Sequence, residues 1–345
     1  MTIKEIAALA GTSRGTVDRV LNDRGNVNSE LASTIQNIAK QNNYQPNQLA
    51  RALTKSRNQM KIGVVINALG NDFFDDVLLG IRERAQKFKS YGMKIYIKEI
   101  KGYDVQEQLD AIDEALEQNI DALAITPLDV PEIRKKLETL CIPIVTFNTD
   151  IQMNKLAFVG CDYYNSGSLS GDIAKLVLGA GGGNIGIVIG SQNIRGHRLR
   201  ISGFTDSVSE NPNIHVVASV ENVDDDERSY AVTGQLISEH HPDLIYFGAA
   251  GIKGGISAVL DSGKSIHIIT VDETAATRDY LEKGVIAATV TQQPYVQGVM
   301  TIKILYDFLA NKVSPRDPYN YTENQVKLKS SKSSETTPVV DKINF

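Results

Sequence analysis

Apolar positions in the first sixty residues recur at helical spacing, in short runs broken by polar turns. Ile3, Ile6, Ala7 and Ala10 fall on one face of a first helix that stops at Gly11. A second helix, capped by Thr12 or Ser13, turns Val17, Val20 and Leu21 inward, and a third covers about 29–42. Two short helices joined by a tight glycine-containing turn predict a helix-turn-helix, whose second helix can lie in a DNA major groove. Residues 46–60 are polar from Pro46 onward. Their one helical stretch, 47–55, is too short to be stable alone in water.

From Lys61 the pattern changes. Continuous apolar runs at 62–66, 94–97, 122–125, 144–147, 157–160, 184–189, 215–220, 244–247, 266–271 and 287–291 read as buried strands. Helical patterns at 75–88, 105–118, 166–178, 228–239 and 252–260 separate them. Buried strands alternating with helices predict an α/β fold of parallel sheets covered on both faces. The expected architecture is two doubly wound lobes over 61–328, behind an all-α head at 1–45 and a linker at 46–60. Lobe 1 takes about 61–160 plus 293–325, lobe 2 about 161–290, and a ligand cleft is expected at the carboxyl ends of the strands. After about Val326 the chain is rich in Ser, Lys and Thr, and a loosely ordered polar tail is expected over 329–345.

At 345 residues the chain has material for two or three cores. A net charge of -5 argues against nucleic acid only until it is divided along the chain. Residues 1–61 hold 9 Lys and Arg against 4 Asp and Glu, a balance of +5 that leaves -10 for the rest. A basic head on an acidic body is the asymmetry of a DNA-binding module attached to a sensor. The N-terminus is not a basic region followed by an apolar run, and no apolar stretch approaches the roughly 20 residues of a membrane span. A cytoplasmic protein with no membrane partner is expected.

Little points to catalysis. Cys141 and Cys161 have no paired spacing, so neither a disulfide framework nor a zinc site is suggested. His197, His215, His240, His241 and His267 are scattered outside any metal or triad motif. No metal, no cofactor and no enzymatic activity are expected. The glycines at 179–183 follow a helix and precede a strand, the wrong order for a phosphate loop. The run GAAGIKG at 248–254 follows a strand and opens a helix, with Asp272 about 20 residues on. Its GxxGxxG spacing is a weak dinucleotide signal that leaves room for an anion near Lys253.

The segment TIKEIAALAGTSRGTVDRVLN over 2–22, and NNYQPN over 42–47 leading into LARAL at 49–53, closely resemble the LacI family of bacterial transcription regulators. The body is similar to type I periplasmic sugar-binding proteins, and Asn71-Asp-Phe-Phe74 looks most like their ribose-binding branch. The resemblance covers residues 2 to about 328. It implies a homodimer that reads a near-palindromic double-stranded operator, usually as a repressor, under control of a small effector. Carried over residue by residue, the recognition helix begins at Ser13, Arg14, Gly15 and Thr16, with Arg19 on the same face. Thr2, Asn22, Asn26, Asn28 and Tyr44, with Asn47, Ala50, Leu53 and Lys55 of the linker, match positions near the DNA, and Leu53 stands where the family wedges a base step. Arg14 and Arg19 carry the chemistry for bidentate contact to guanine or for phosphate. The chain departs at Gly15, which has no side chain where the family usually places a base reader, and at Asp18, where Ser is common.

A sugar site needs flat apolar surfaces and groups that hold hydroxyls. Asn71, Phe73 and Phe74 follow the first strand. Asn148 and Asp272 end strands, Gln292 lies just past one, and Arg200 matches the family arginine that reaches the sugar. Arg198 is expected to be solvated or paired nearby, and Asp162 either approaches the ligand or caps the next helix. Asn148-Thr149 replaces the acid and arginine of the ribose-binding branch, and Ala250-Gly251 replaces its Asn-Asp pair. Fewer charged groups and a roomier pocket point to a different sugar, a polyol or a less polar derivative. The competing readings are a binding protein or small-molecule enzyme whose head no longer binds DNA, and a nucleotide-responsive regulator.

Overall fold

A computed structural model of the chain describes residues 3–21, 27–42 and 59–331. The chain divides into two units, 1–57 and 58–345, which are taken separately. In the first, α1 (Ile3–Leu9), α2 (Arg14–Leu21) and α3 (Ser29–Gln41) enclose a small core of Ile6, Ala7, Val17, Val20, Ile35 and Ala39. Gly11, with φ +61°, makes the turn between α1 and α2. Ser13 caps α2, its hydroxyl accepting from the Thr16 amide at 3.1 Å. Asn28 caps α3, accepting from the Glu30 amide at 2.8 Å.

The second unit holds two six-stranded sheets. The first contains β1 (Met60–Leu69), β2 (Met93–Lys101), β3 (Ala122–Ile125), β4 (Ile144–Phe147), β5 (Ala157–Cys161) and β11 (Tyr319–Thr322), in the order β11-β5-β4-β3-β1-β2 and parallel throughout. The second contains β6 (Gly183–Ile189), β7 (Ile214–Glu221), β8 (Leu244–Phe247), β9 (His267–Val271), β10 (Ala288–Thr291) and β12 (Gln325–Lys327), in the order β12-β10-β9-β8-β6-β7. Only β12 runs antiparallel to its neighbour. In each sheet the first strand lies between the second and third, so the order reverses there and a crevice opens at its carboxyl end.

Helices cover both faces of each sheet. In lobe 1, α4 (Phe73–Phe88) and α12 (Pro294–Asn311) bury Val77, Ile81, Ile302 and Leu305 against Ile62, Val64 and Ile66. On the opposite face α5 (Val105–Glu117) and α6 (Pro131–Glu138) bury Ile112, Ile133 and Leu137 against Val65, Leu123 and Ile125. Each such aliphatic side chain contributes roughly 1.5–3 kcal/mol on burial. Lobe 2 repeats the plan, with α7 (Tyr163–Leu178) and α8 (Arg195–Val208) on one face. Its other face carries α9 (Asp226–His240), α10 (Ile252–Asp261) and α11 (Ala275–Glu282).

Glycines set the α7–α8 distance. A Cβ on Gly167 would stand 2.1 Å from the Arg200 carbonyl oxygen, and one on Gly203 would stand 2.0 Å from that of Tyr164. Backbone contact this close fixes where Arg200 leaves its helix. The chain crosses between lobes three times, after β5, β10 and β11. The crossings are tied together: Thr322 Oγ1 donates to the Gln292 carbonyl at 2.8 Å, and Asn324 Nδ2 to that of Asp162 at 2.9 Å. The expected strands all form. Gln325–Lys327, which was not expected as a strand, pairs with β10.

Candidate functional site

Between the lobes lies a cavity lined by residues of both. Most of its lining follows strand ends, and helices supply the rest. Lobe 1 contributes Asn67, Asn71, Phe73 and Phe74 around the end of β1, then Tyr103, Thr126, Asn148 and Thr149 after β2, β3 and β4. Lobe 2 contributes His197 and Arg200 of α8, then Asp224, Ala249 and Ala250, Asp272 and Gln292 after β7, β8, β9 and β10. Phe73 and Phe74 meet edge to face at 5.2 Å, and both serve the core of lobe 1 as well as the cavity.

Backbone strain collects at these tips. Asn148 (φ +59°), Val223 (φ +50°), Asp224 (φ +58°), Asp272 (φ +67°) and Gln293 (φ +56°) are left-handed without being glycine. Asn and Asp tolerate this region, whereas a β-branched Val does so only under constraint. Asn222 supplies that constraint: its side chain donates to the Ala250 carbonyl at 2.7 Å and accepts from the Asp224 amide at 3.0 Å. Strain of this kind, held at a cavity wall, aims a side chain.

Arg200 is 2 % exposed. One of its nitrogens donates to the Gly248 carbonyl at 2.9 Å, while Nε and Nη2 have no partner. Its guanidinium lies 4.8 Å from the Tyr163 ring centre. Burial opposes its charge, and the facing Asp272 with Cys161, Tyr246 and Tyr163 more than offsets this, so its pKa rises. Burial raises the Asp272 carboxyl pKa against the lowering pull of Arg200 and of Gln292, which donates to it at 2.8 Å. Burial also raises that of Asp224, which accepts from the Tyr103 hydroxyl, from the Ala250 amide at 3.1 Å and from Asn71 Nδ2 at 3.4 Å. Tyr103 and Asn71 belong to lobe 1 and Asp224 to lobe 2, so these bonds hold the cleft shut. Two buried nitrogen donors without acceptors and two carboxyl groups facing one space have the chemistry to hold hydroxyls.

All seven expected ligand residues, Asn71, Phe73, Phe74, Asn148, Arg200, Asp272 and Gln292, line this one cavity. Asp162 caps α7, accepting from the Asn165 amide at 3.0 Å. Arg198 pairs with Asp129. Lys253 pairs with Asp72 at 3.3 Å, so an anion at the start of α10 would have to displace a carboxylate. Asp224, which was not among the expected residues, adds a carboxyl group to the wall. Tyr103 and His197 were missed as well, since a loop tyrosine and an isolated histidine carry no periodic signal. In the run Asp224-Asp225-Asp226 the second caps α9 at 3.0 Å from the Arg228 amide, which makes the whole run read as a helix start.

On the head, Ser13, Arg14, Gly15 and Arg19 form an exposed face of α2, with Thr16 half-buried beside them. Arg19 Nε donates to the Gly15 carbonyl at 3.3 Å, so its guanidinium leans back over the turn that Gly15 leaves bare. Asn28 is occupied as a cap. Thr2, Asn22, Asn26, Tyr44, Asn47, Ala50, Leu53 and Lys55 lie outside the described residues. Among the described residues no His, Cys, Asp and Glu cluster could hold a metal, and no helix is long and apolar enough to cross a membrane.

His197 gives the unliganded body a pH signature. Burial, then the charge of Arg200, lowers its pKa to about 3 from the ordinary 6.5. Between those values the unfolded chain binds a proton that the folded body refuses, so stability falls as pH falls. The buried carboxylates act oppositely: their raised pKa values give stability that is present at low pH and lost on titration upward. His197→Gln should therefore remove an acid-destabilising slope of up to about 1.4 kcal/mol per pH unit. Urea unfolding of the body at pH 4, 5, 6 and 7 measures it, and parallel slopes for variant and wild type would refute the assignment.

Comparison with known proteins places both units. Residues 62–312 match the family described as periplasmic binding protein domain, and residues 2–47 match the bacterial regulatory proteins of the lacI family. The chain is 25% identical over 264 residues to the ribose import binding protein RbsB of Bacillus subtilis, covering 74% of this chain and 84% of that protein. It is 28% identical to the HTH-type transcriptional regulator DegA of the same organism, over 61% of each chain. Among solved structures, GanP, a glucose-galactose binding protein from Geobacillus stearothermophilus, superposes with a TM-score of 0.72 at 26% identity. That match covers 79% of this chain and 98% of GanP.

Proposed function

The chain belongs to the LacI-family regulators, with a periplasmic binding protein domain as its body, and from that premise we propose a cytoplasmic repressor controlled by a small hydroxylated effector. In this reading α2 enters the major groove of a near-palindromic operator as one half of a homodimer. The effector sits between the lobes, held by Arg200, Asp272, Asn148, Asn71 and Gln292 with Phe73 and Phe74 against its apolar face. The observation that carries it is the meeting of these residues on one enclosed wall, with two Arg200 donors left for a ligand. RbsB and GanP are named for sugars, which supports a sugar or polyol here.

Control requires the effector to bind two body conformations with different affinity. The cross-lobe bonds from Tyr103 and Asn71 to Asp224 stabilise one of them, the closed one. The linker at 46–60, including Leu53, would carry the change to the operator. The test is an electrophoretic shift on promoter DNA from the gene's own neighbourhood, with and without pentoses, hexoses and inositols. A sugar-dependent shift is expected. Binding of a sugar with no DNA binding under any condition would leave a binding protein. A response to a nucleotide alone would move the effector class.

A further inference from the structure

Two carboxyl groups, Asp224 and Asp272, face a single guanidinium, Arg200, across the cavity, and burial keeps His197 neutral at physiological pH. Arg200 and Asp272 act on each other across the cavity. Arg200 acts on Asp224 as well, but the hydrogen-bond partners of Asp224 are a hydroxyl, a backbone amide and a side-chain amide, all uncharged, and no described lysine or arginine forms an ion pair with it. Nearby cations are engaged outside this wall: Lys253 with Asp72, Arg195 with Asp150, and Arg198 with Asp129. With a neutral ligand one guanidinium must serve both carboxyls, which is costly in a closed site. The strained pair Val223 and Asp224, braced by Asn222, shows that the fold spends conformational energy to put this carboxylate there.

Resting on the reading of the cleft as an effector site, we propose that the effector is a polyhydroxylated compound bearing a protonated amine, whose ammonium pairs with Asp224 beside the Tyr103 ring. Its hydroxyls then take the free Arg200 donors and the Asp272 carboxylate. The ammonium supplies a second cation for the two carboxyls, and the aromatic walls of Tyr103, Phe73 and Phe74 favour a cation over an anion.

Calorimetry on the full-length wild-type protein at pH 6.5 tests this with matched probes. These are glucose and glucosamine, galactose and galactosamine, and glucitol and 1-amino-1-deoxyglucitol. At least one amine should bind tenfold or more tighter than its neutral counterpart, and Asp224→Asn should bring that ratio toward one. Neutral members binding as tightly as the amines would overturn the proposal while leaving the cleft a sugar site. An amine preference that persists undiminished in Asp224→Asn would overturn the assignment to Asp224. A panel in which neither series binds would sink the sugar reading, and this inference with it.

Discussion

Asp272→Asn is expected to weaken effector binding roughly 30- to 1,000-fold, a loss of about 2–4 kcal/mol, while the body melts within a few degrees of wild type. Asparagine is the informative replacement because Asp272 is left-handed, with φ +67°. Asn accepts that conformation, whereas Ala would add backbone strain to the lost contact. The variant keeps an oxygen at the strand tip but removes the charge that opposes Arg200 across the cavity. The unliganded body loses a buried carboxylate with a raised pKa, which offsets part of the penalty. Effector affinity then falls more than stability does. Calorimetry and thermal melting on the same preparation separate the two, and a large drop in melting temperature with intact binding would assign Asp272 a structural role instead.

The second large effect is on the head. Arg14→Ala and Arg19→Ala should each cost about 1–3 kcal/mol of operator discrimination if the contacts are bidentate to guanine. Of the two, Arg19 is expected to matter more than its place on α2 suggests. Gly15 presents bare backbone, with only Ser13 Oγ within 4 Å of its missing side chain, and Arg19 Nε donates to its carbonyl at 3.3 Å. The double variant should retain salt-sensitive binding to any DNA, through phosphate contacts elsewhere, and lose its preference for the operator. Fluorescence anisotropy on operator and scrambled duplexes at one fixed salt concentration reads the ratio. An unchanged ratio in the double variant would remove α2 from the recognition surface.

The two predictions draw on different amounts of sequence information. Head and strands were legible because their apolar periods are strong and local: Val17 and Val20 are buried, as are all four residues of the 122–125 and 244–247 strands. Four helices of the body were not recognised, at 131–138, 195–208, 275–282 and 294–311, and the two longest show why. The stretch HRLR at 197–200 places charges on a helix that is buried at Gly196, His197, Arg200 and Gly203, and Pro294–Asn311 is apolar on most sides. In both, tertiary burial erases the amphipathic stripe. The seven ligand-wall residues were found from strand tips and the family resemblance together. Asp224 and Tyr103 were not, because their roles depend on two lobes meeting, which no local pattern records.

The triple crossing between lobes also sets an order of assembly. The parallel strands β6 to β10 and their helices come from one unbroken stretch of chain, whereas the first lobe needs α12 and β11 to cover its sheet. During synthesis, at about 5–20 residues per second, residues 60–161 emerge long before Ile302 and Leu305 exist to cover Ile62 and Val64. The second lobe can close its core while the first still exposes apolar strand. Apolar strand of the first lobe is thus expected to stay uncovered until residue 311 has been made, the interval in which this half of the body is open to aggregation.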